Sequence, residues 1–280
     1  MQAATPEVAA GDIHIPLHTL RGERRFWADR LLSVFKGKQI DGVEWSMKFS
    51  LTGLVGNRFL LGVQREHWGR LDFSTLSRDL AVPQSLWMRI LQDMEQARAM
   101  FFAYEPDAQG GDTYRIYLEF MPAPEALRQF GVLPLGCGYK WRPADSGVAA
   151  VTGYRMRYLD SAEAFDAYLQ AHLARLTRPA LRDMACDVIA RAAAVADPRH
   201  FMFLEVDEAE TRRDSFTVTF RGSDLPLRGF IPDLLRLAAS LALPASEVLG
   251  FLVPDEPRSL YSLAAGTGRD GHEFLTVYYD

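Results

Sequence analysis

The feature that most constrains this chain is a recurring couple of alternating apolar and polar stretches joined by a short turn, with helix-like segments between couples. The first stretch, GVEWSMKFS, puts Val43, Trp45, Met47 and Phe49 on one face and Glu44, Ser46, Lys48 and Ser50 on the other. Gly53 and Gly56-Asn57 turn the chain into RFLLGVQ. MFFAYEP and DTYRIYLEF form a second couple around residues 107–112, and CGYKW and VTGYRMRYL a third around the Pro143–Gly147 turn. HFMFLEVD with DSFTVTFRG and SLYSLAAG with HEFLTVYY complete the set. Helical spacing covers residues 19–35, 83–98, 123–130, 160–195 with a break near Pro179, and 230–243, while residues 1–17 read as a loose lead-in.

Five couples supply ten antiparallel strands. An open sheet of that breadth leaves two long unpaired edges, whereas closure into a barrel removes them. The expected fold is therefore α+β: a ten-stranded antiparallel barrel of five strand pairs surrounded by helices, in one domain over residues 1–280. Two packed sheets, or two α+β domains, are the alternatives. A ten-stranded barrel encloses a lumen rather than a packed plug.

The 280 residues are 48% hydrophobic and 24% charged, the balance of a folded globular protein. Thirty-one basic against thirty-six acidic residues give a net charge of −5, which excludes nucleic-acid binding through a generally basic surface. Cys137 and Cys186 are enough for one disulfide, but a chain of this size needs no staple, so two buried thiols in a reducing compartment are the plainer reading and the expected location is the cytoplasm. The N-terminal residues show no basic region followed by an apolar core and nowhere do 18 apolar residues run together, so neither a secretory signal nor membrane association is expected.

Helices coating the outside require the apolar strand faces, which leaves the polar faces to look inward or into water. Arg115, Tyr117 and Glu119 share one such face, Arg155 and Arg157 oppose Tyr154, Met156 and Tyr158, and Ser215, Thr217 and Thr219 oppose Phe216, Val218 and Phe220. Arg58, Arg115, Arg155 and Arg157 recur on successive couples, and in a barrel they can converge. Converging cations in a partly dry cavity require an anionic ligand, and the guanidinium fork suits phosphate oxygens. For any one strand, a polar face turned to solvent is the plainer alternative.

GVEWSMKFS followed by RFLLGV resembles the first strand pair of aromatic prenyltransferases of the dimethylallyltryptophan synthase type, which have the ABBA or PT-barrel fold. The resemblance implies that Glu44 binds the aromatic acceptor and Arg58 the diphosphate. RIYLEFMP resembles the family's K-x-Y stretch, placing diphosphate contacts on Arg115 and Tyr117, with Arg where many members have Lys. YRMRY resembles the R-x-K-x-Y strand and maps to Arg155 and Arg157; Leu159 stands where that motif closes on Tyr, with Tyr158 one position early. FLTVYYD resembles the last barrel strand, whose tyrosine shields the allyl cation; Tyr278 is the choice there, Tyr279 lies on the opposite face, and Tyr261 is a further candidate. The order of these short motifs from about residue 42 onward carries the resemblance.

The implied function is transfer of an isoprenyl group, such as dimethylallyl, from its diphosphate to an indole, phenol or aromatic peptide side chain, as in secondary metabolism. Arg58, Arg115, Arg155, Arg157 and Lys140 would stabilise the leaving diphosphate, and Tyr117, Tyr261 and Tyr278 would wall the cation. Glu44 would orient the acceptor by accepting its N–H or O–H hydrogen bond. The DDxxD signature that holds Mg²⁺ is absent, so a metal-independent reaction without cofactor is expected. The partners are the isoprenyl diphosphate and the aromatic acceptor, with the protein a monomer or weak homodimer. The alternative is a non-catalytic barrel that binds a hydrophobic metabolite or peptide.

Other motifs carry less. Gly266-Thr267-Gly268-Arg269-Asp270-Gly271 matches GxGxxG, but a strand follows it where a dinucleotide site needs a helix, so it reads as a hairpin loop. Six histidines form no compact ligand set, and the two cysteines lack paired spacing, so no structural metal is expected. Trp68, Trp87 and Trp141 read as packing residues.

Overall fold

The computed structural model describes residues 8–9, 20–106, 111–208, 211, 213–220, 222–252 and 257–280. Ten strands follow the five couples: β1 (Gly42–Ser50), β2 (Gly53–Gln64), β3 (Ala99–Glu105), β4 (Thr113–Glu119), β5 (Val132–Arg142), β6 (Gly147–Arg157), β7 (Met202–Asp207), β8 (Asp214–Thr219), β9 (Ser259–Thr267) and β10 (Glu273–Tyr279). Hydrogen bonding runs β8-β7-β6-β5-β4-β3-β2-β1-β10-β9, and β8 also pairs with β9. The sheet therefore closes on itself as a ten-stranded antiparallel β-barrel, and helices surround it. Closure leaves none of the ten strands as a free edge, the liability that an open sheet or a sandwich would keep. A two-residue strand, Leu225–Pro226, adds to β9.

Among the described residues eight α-helices accompany the strands: α1 (Gly22–Phe35), α2 (Phe73–Asp79), α3 (Gln84–Met94), α4 (Pro124–Phe130), α5 (Ala162–Leu173), α6 (Pro179–Ala193), α7 (Ile231–Ser240) and α8 (Ala245–Phe251). The break near Pro179 is a helix start, with Pro at the first helical position where its missing N–H costs nothing. α2 and α8 are too short to show a period; α2 is instead capped by Asp72, whose carboxylate accepts from the Ser74 and Thr75 N–H groups. Three expectations shift in detail. Gly56-Asn57 lies inside β2 rather than in the turn, with Asn57 at φ 53°. Strand β6 begins at Gly147, so its turn is shorter than expected. Within the lead-in, Val8–Ala9 pairs with Gln39–Ile40, and the rest of residues 1–17 lies outside the described residues.

By backbone packing the chain divides into two compact units, one of residues 1–45, 57–121 and 135–152, the other of residues 46–56, 122–134 and 153–280. In the first, Ala28, Leu31 and Phe35 of α1, Leu76 of α2, and Leu86 and Ile90 of α3 bury against alternate residues of the strands. Those are Phe59, Leu61 and Val63 of β2, Phe102 and Tyr104 of β3, Tyr114, Ile116 and Leu118 of β4, and Tyr139 and Trp141 of β5. Each such large side chain contributes roughly 1.5–3 kcal/mol on burial. Polar tips fix the helices over the sheet: the Tyr104 and Tyr114 hydroxyls donate to the Arg24 and Trp27 carbonyls at 3.0 and 2.6 Å, and Trp141 Nε1 donates to the Leu80 carbonyl at 2.9 Å.

In the second unit, Phe165, Leu169, His172 and Leu173 of α5 and Leu181, Ala185 and Val188 of α6 bury, as do Phe203 of β7 and Phe216 and Val218 of β8. Phe203 and Phe216 stack with ring centroids 5.4 Å apart, and His172 lies 5.0 and 5.5 Å from their centroids. The GxGxxG stretch is the β9–β10 hairpin loop, where Gly268 N–H donates to the His272 carbonyl at 2.8 Å and Gly271 takes φ 78°.

Candidate functional site

The helix-facing residues of the first unit fix what its strands present on the other face. Alternation there aligns Arg58, Leu60 and Gly62 of β2, Phe101, Ala103 and Glu105 of β3, Arg115, Tyr117 and Glu119 of β4, and Gly136, Gly138 and Lys140 of β5. Register carries the alignment across strands: Ala103 pairs with Arg115 and Arg115 with Lys140, while Phe101 pairs with Tyr117 and Tyr117 with Gly138.

Three cations converge on one carboxylate. Arg58 Nη2 donates to Glu105 Oε1 at 3.0 Å, Arg115 also pairs with Oε1, and Lys140 Nζ donates to Oε2 at 2.5 Å. The side chains are largely withdrawn from water, with 10% of Glu105, 11% of Arg58, 21% of Arg115 and 25% of Lys140 exposed. Arg58 Nη1 is buried without a hydrogen-bond partner among the described residues. An unsatisfied buried N–H is costly, and a further anion is what such a group recruits.

An aromatic shelf adjoins the cations. Tyr117 is two residues from Arg115, about 7 Å along the strand, and its ring lies 5.7 Å from that of Phe101. Glycines leave room for both rings. A Cβ on Gly136 would meet Tyr117 Oη at 2.8 Å, and one on Gly62 would meet the Phe101 ring at 2.9 Å. Glu44 is half-buried and out of phase with Val43 and Trp45, which pack on the helix-side core.

The second unit contains the other sequence-selected residues. On β10, Tyr278 pairs with Ser262 of β9, which hydrogen-bonds Thr219 of β8 at 3.0 Å, so Tyr278 shares the polar face of these strands. Tyr279 has the opposite phase and is buried beneath Arg258, whose guanidinium lies 5.4 Å from the ring centroid; burial pushes its hydroxyl up to about 12. Tyr261 is the extra residue of a β-bulge between Leu260 and Ser262 and is buried. Lys48 of β1 lies 4.8 Å above the Phe274 ring of β10.

Arg155 and Arg157 take the other phase of β6. Arg155 pairs with Glu205 and Arg157 with Phe203, and the Phe203 face is the one packed on α5. Arg157 Nη2 donates to Glu205 Oε2 at 3.0 Å and its guanidinium lies 4.4 Å over the Tyr168 ring, while Arg155 is exposed. The Tyr168 hydroxyl donates to Glu205 Oε1 at 2.5 Å, and burial followed by that carboxylate pushes its pKa up to about 12. The inward placement expected for this arginine pair is thus reversed. Tyr154 and Met156 hold the opposite face of β6, and Tyr158 follows its last residue.

Sequence reasoning passed over two charged groups. Glu105 ends an apolar strand and matches no motif. Arg213, just before β8, donates to Glu208 at 3.0 Å, and Glu208 also accepts from Arg269 at 2.8 Å. Burial alone would push the Arg213 pKa down, but Tyr154, Glu208 and Tyr278 hold it above the ordinary guanidinium range. The strand patterns contain no signal for Arg213, because it belongs to a loop. Among the described residues no group of three or more His, Cys, Asp or Glu is placed to hold a metal ion, and no helix is long and apolar enough to cross a membrane.

Comparison of the backbone with solved structures gives extensive matches. 6-dimethylallyltryptophan synthase from Micromonospora olivasterospora, solved with DMASPP and Trp, aligns with a TM-score of 0.54 at 11% identity, covering 84% of this chain and 80% of that one. This chain has the PT-barrel fold. The PriB complex with product diphosphate aligns with a TM-score of 0.53 at 16% identity, over 84% of this chain and 78% of that one. 5-dimethylallyltryptophan synthase from Streptomyces coelicolor gives a TM-score of 0.50 at 15% identity, over 85% and 80%. No family model and no curated protein sequence matches the chain. What the PT barrel shares with these structures is the backbone; its chemistry must be argued from its own side chains.

Proposed function

We propose that the protein transfers an isoprenyl group from its diphosphate to an electron-rich aromatic acceptor. The observation that carries this reading is the convergence of Arg58, Arg115 and Lys140 beside the Tyr117–Phe101 shelf, within a PT-barrel fold. The cations bind the diphosphate and stabilise the negative charge that develops as the allylic C–O bond breaks and its electron pair leaves with the phosphate oxygen. Tyr117 and Phe101 face the allyl fragment one strand step away, where π-faces stabilise a cation and exclude water. Tyr261 and Tyr278 keep the shielding roles the family resemblance gives them. An aromatic carbon then attacks, a C–C bond forms, and the ring carbon's proton passes to the released diphosphate, restoring aromaticity; Glu44 accepts the acceptor's N–H or O–H hydrogen bond and orients it.

In this reading Arg155 and Arg157 do not hold the donor. Arg157 anchors α5 through Glu205 and Tyr168, and Arg58, Arg115 and Lys140 carry the phosphate contacts. That smaller set also suits a second reading, a barrel that binds diphosphate esters or aromatic metabolites without turning them over. Incubation with dimethylallyl or geranyl diphosphate and a panel of tryptophan, tyrosine, indoles, phenols and cyclic peptides separates the two. A mass gain of one prenyl unit on an acceptor, lost in Arg115→Ala and reduced in turnover in Glu44→Gln, supports transfer. Donor binding without any modified acceptor supports the binding protein, and neither result would overturn both.

A further inference from the structure

We infer that Glu105 is a built-in competing anion that sets how tightly the diphosphate is held. The inference rests on the donor site proposed above and assigns a role to a residue that no motif marks. Glu105 ends β3, whose same-face residues Phe101 and Ala103 are apolar, so neither strand propensity nor burial calls for a carboxylate there. It nevertheless accepts from side chains of three strands, Arg58, Arg115 and Lys140, through both of its oxygens.

These contacts have two physical consequences. The carboxylate gathers three like charges that would otherwise repel, so the cations are pre-positioned before the donor arrives. It also engages guanidinium and ammonium N–H groups that phosphoryl oxygens would use, so an incoming diphosphate meets a like charge among its own ligands. The first effect favours binding and the second opposes it. Arg58 Nη1, buried without a hydrogen-bond partner among the described residues, leaves the site attractive to an anion even with Glu105 present. The carboxylate therefore acts on retention more than on capture, and the species most affected is the free diphosphate left after transfer. Glu105 is a positioning residue that favours product release.

The test is titration calorimetry of inorganic diphosphate into the full chain, for wild type, Glu105→Gln and Glu105→Asp. Glu105→Gln keeps the shape and removes the charge; it is expected to bind diphosphate at least tenfold more tightly, with a lower KM for the donor and a lower kcat as product release slows. Glu105→Asp keeps the charge and is expected to stay within about threefold of wild type. Glu105→Ser, also neutral and smaller, gives the same reading where the glutamine variant does not fold. Equal or weaker binding by the neutral variants overturns the inference while leaving the donor site intact. If wild type and all variants fail to bind diphosphate, the donor site itself falls, and the inference with it. Failure of both neutral variants to fold marks Glu105 as structural only and also overturns it.

Discussion

Gly136→Ala probes how the sheet makes room for the aromatic shelf. Gly136 pairs with Glu119 across the β4–β5 ladder, and a Cβ there would lie 2.2 Å from the Leu118 carbonyl oxygen and 2.8 Å from Tyr117 Oη. Ordinary contact begins near 3.4 Å, so relief requires a movement of about 1.2 Å. The tyrosine tip can swing away; the carbonyl belongs to the ladder and cannot move without straining hydrogen bonds on both sides. Overpacking of this kind costs about 1–3 kcal/mol, a weakened ladder bond about 1 kcal/mol, and the stiffer unfolded chain returns about 0.4–1 kcal/mol. The expected net loss is about 2 kcal/mol, or roughly 0.7 M in urea midpoint for a slope near 3 kcal/mol/M. Gly69→Ala is the control, since nothing lies within 4 Å of its added Cβ; its midpoint should stay within about 0.2 M of wild type. Affinity for dimethylallyl diphosphate, whose allyl group rests on the shelf, should fall in Gly136→Ala alone, because Tyr117 is displaced. An unchanged midpoint for Gly136→Ala, or an equal fall in both variants, would refute the packing argument.

Three further outcomes are expected. Arg157→Met should lower stability by about 1–3 kcal/mol, by leaving the Glu205 carboxylate short of a partner, yet leave diphosphate affinity unchanged in calorimetry, whereas Arg115→Ala should lose at least tenfold. Burial alone would raise the Glu205 pKa, but the Tyr168 hydroxyl, Arg157 and His172 together hold it below the ordinary carboxylate value. Its stabilising contribution is therefore full above about pH 4.5 and lost as pH falls through the lowered native value; urea midpoints between pH 6 and 3 should decline less steeply in Glu205→Gln. Burial raises the thiol pKa of Cys137, with Asp93 adding to it, and that of Cys186, with Asp183 and Asp187 adding. Both should alkylate with iodoacetamide at pH 8 more slowly than a free cysteine does, and two fast-reacting thiols would contradict this placement.

The strand couples and their closure were legible because alternation runs through nearly every strand, and ten strands without a covered edge have few solutions. The shared polar face of Arg115 and Tyr117 was legible for the same reason: their strand carries a strongly apolar opposite face, so the polar phase is unambiguous. Strand β6 was misread because YRMRY is amphipathic in both phases. Tyr154 and Tyr158 can line a polar face, while an arginine stem can pack on Tyr168 if its head meets Glu205. The signal was upstream: Val151 shares a phase with Arg155 and Arg157, and it packs on the helix-side core. Glu105 could not be read from its own strand, because its importance comes from neighbours on three others. α2 was missed because its definition comes from the Asp72 cap rather than from a period.

The most direct test of the donor site is a crystal structure with dimethylallyl S-thiolodiphosphate, a donor whose C–S bond resists ionisation. Phosphoryl groups are expected in contact with Arg58, Arg115 and Lys140, with the dimethylallyl group against Tyr117. Phosphoryl groups bound instead at Arg155 and Arg157, with Glu105 still holding all three cations undisturbed, would contradict it.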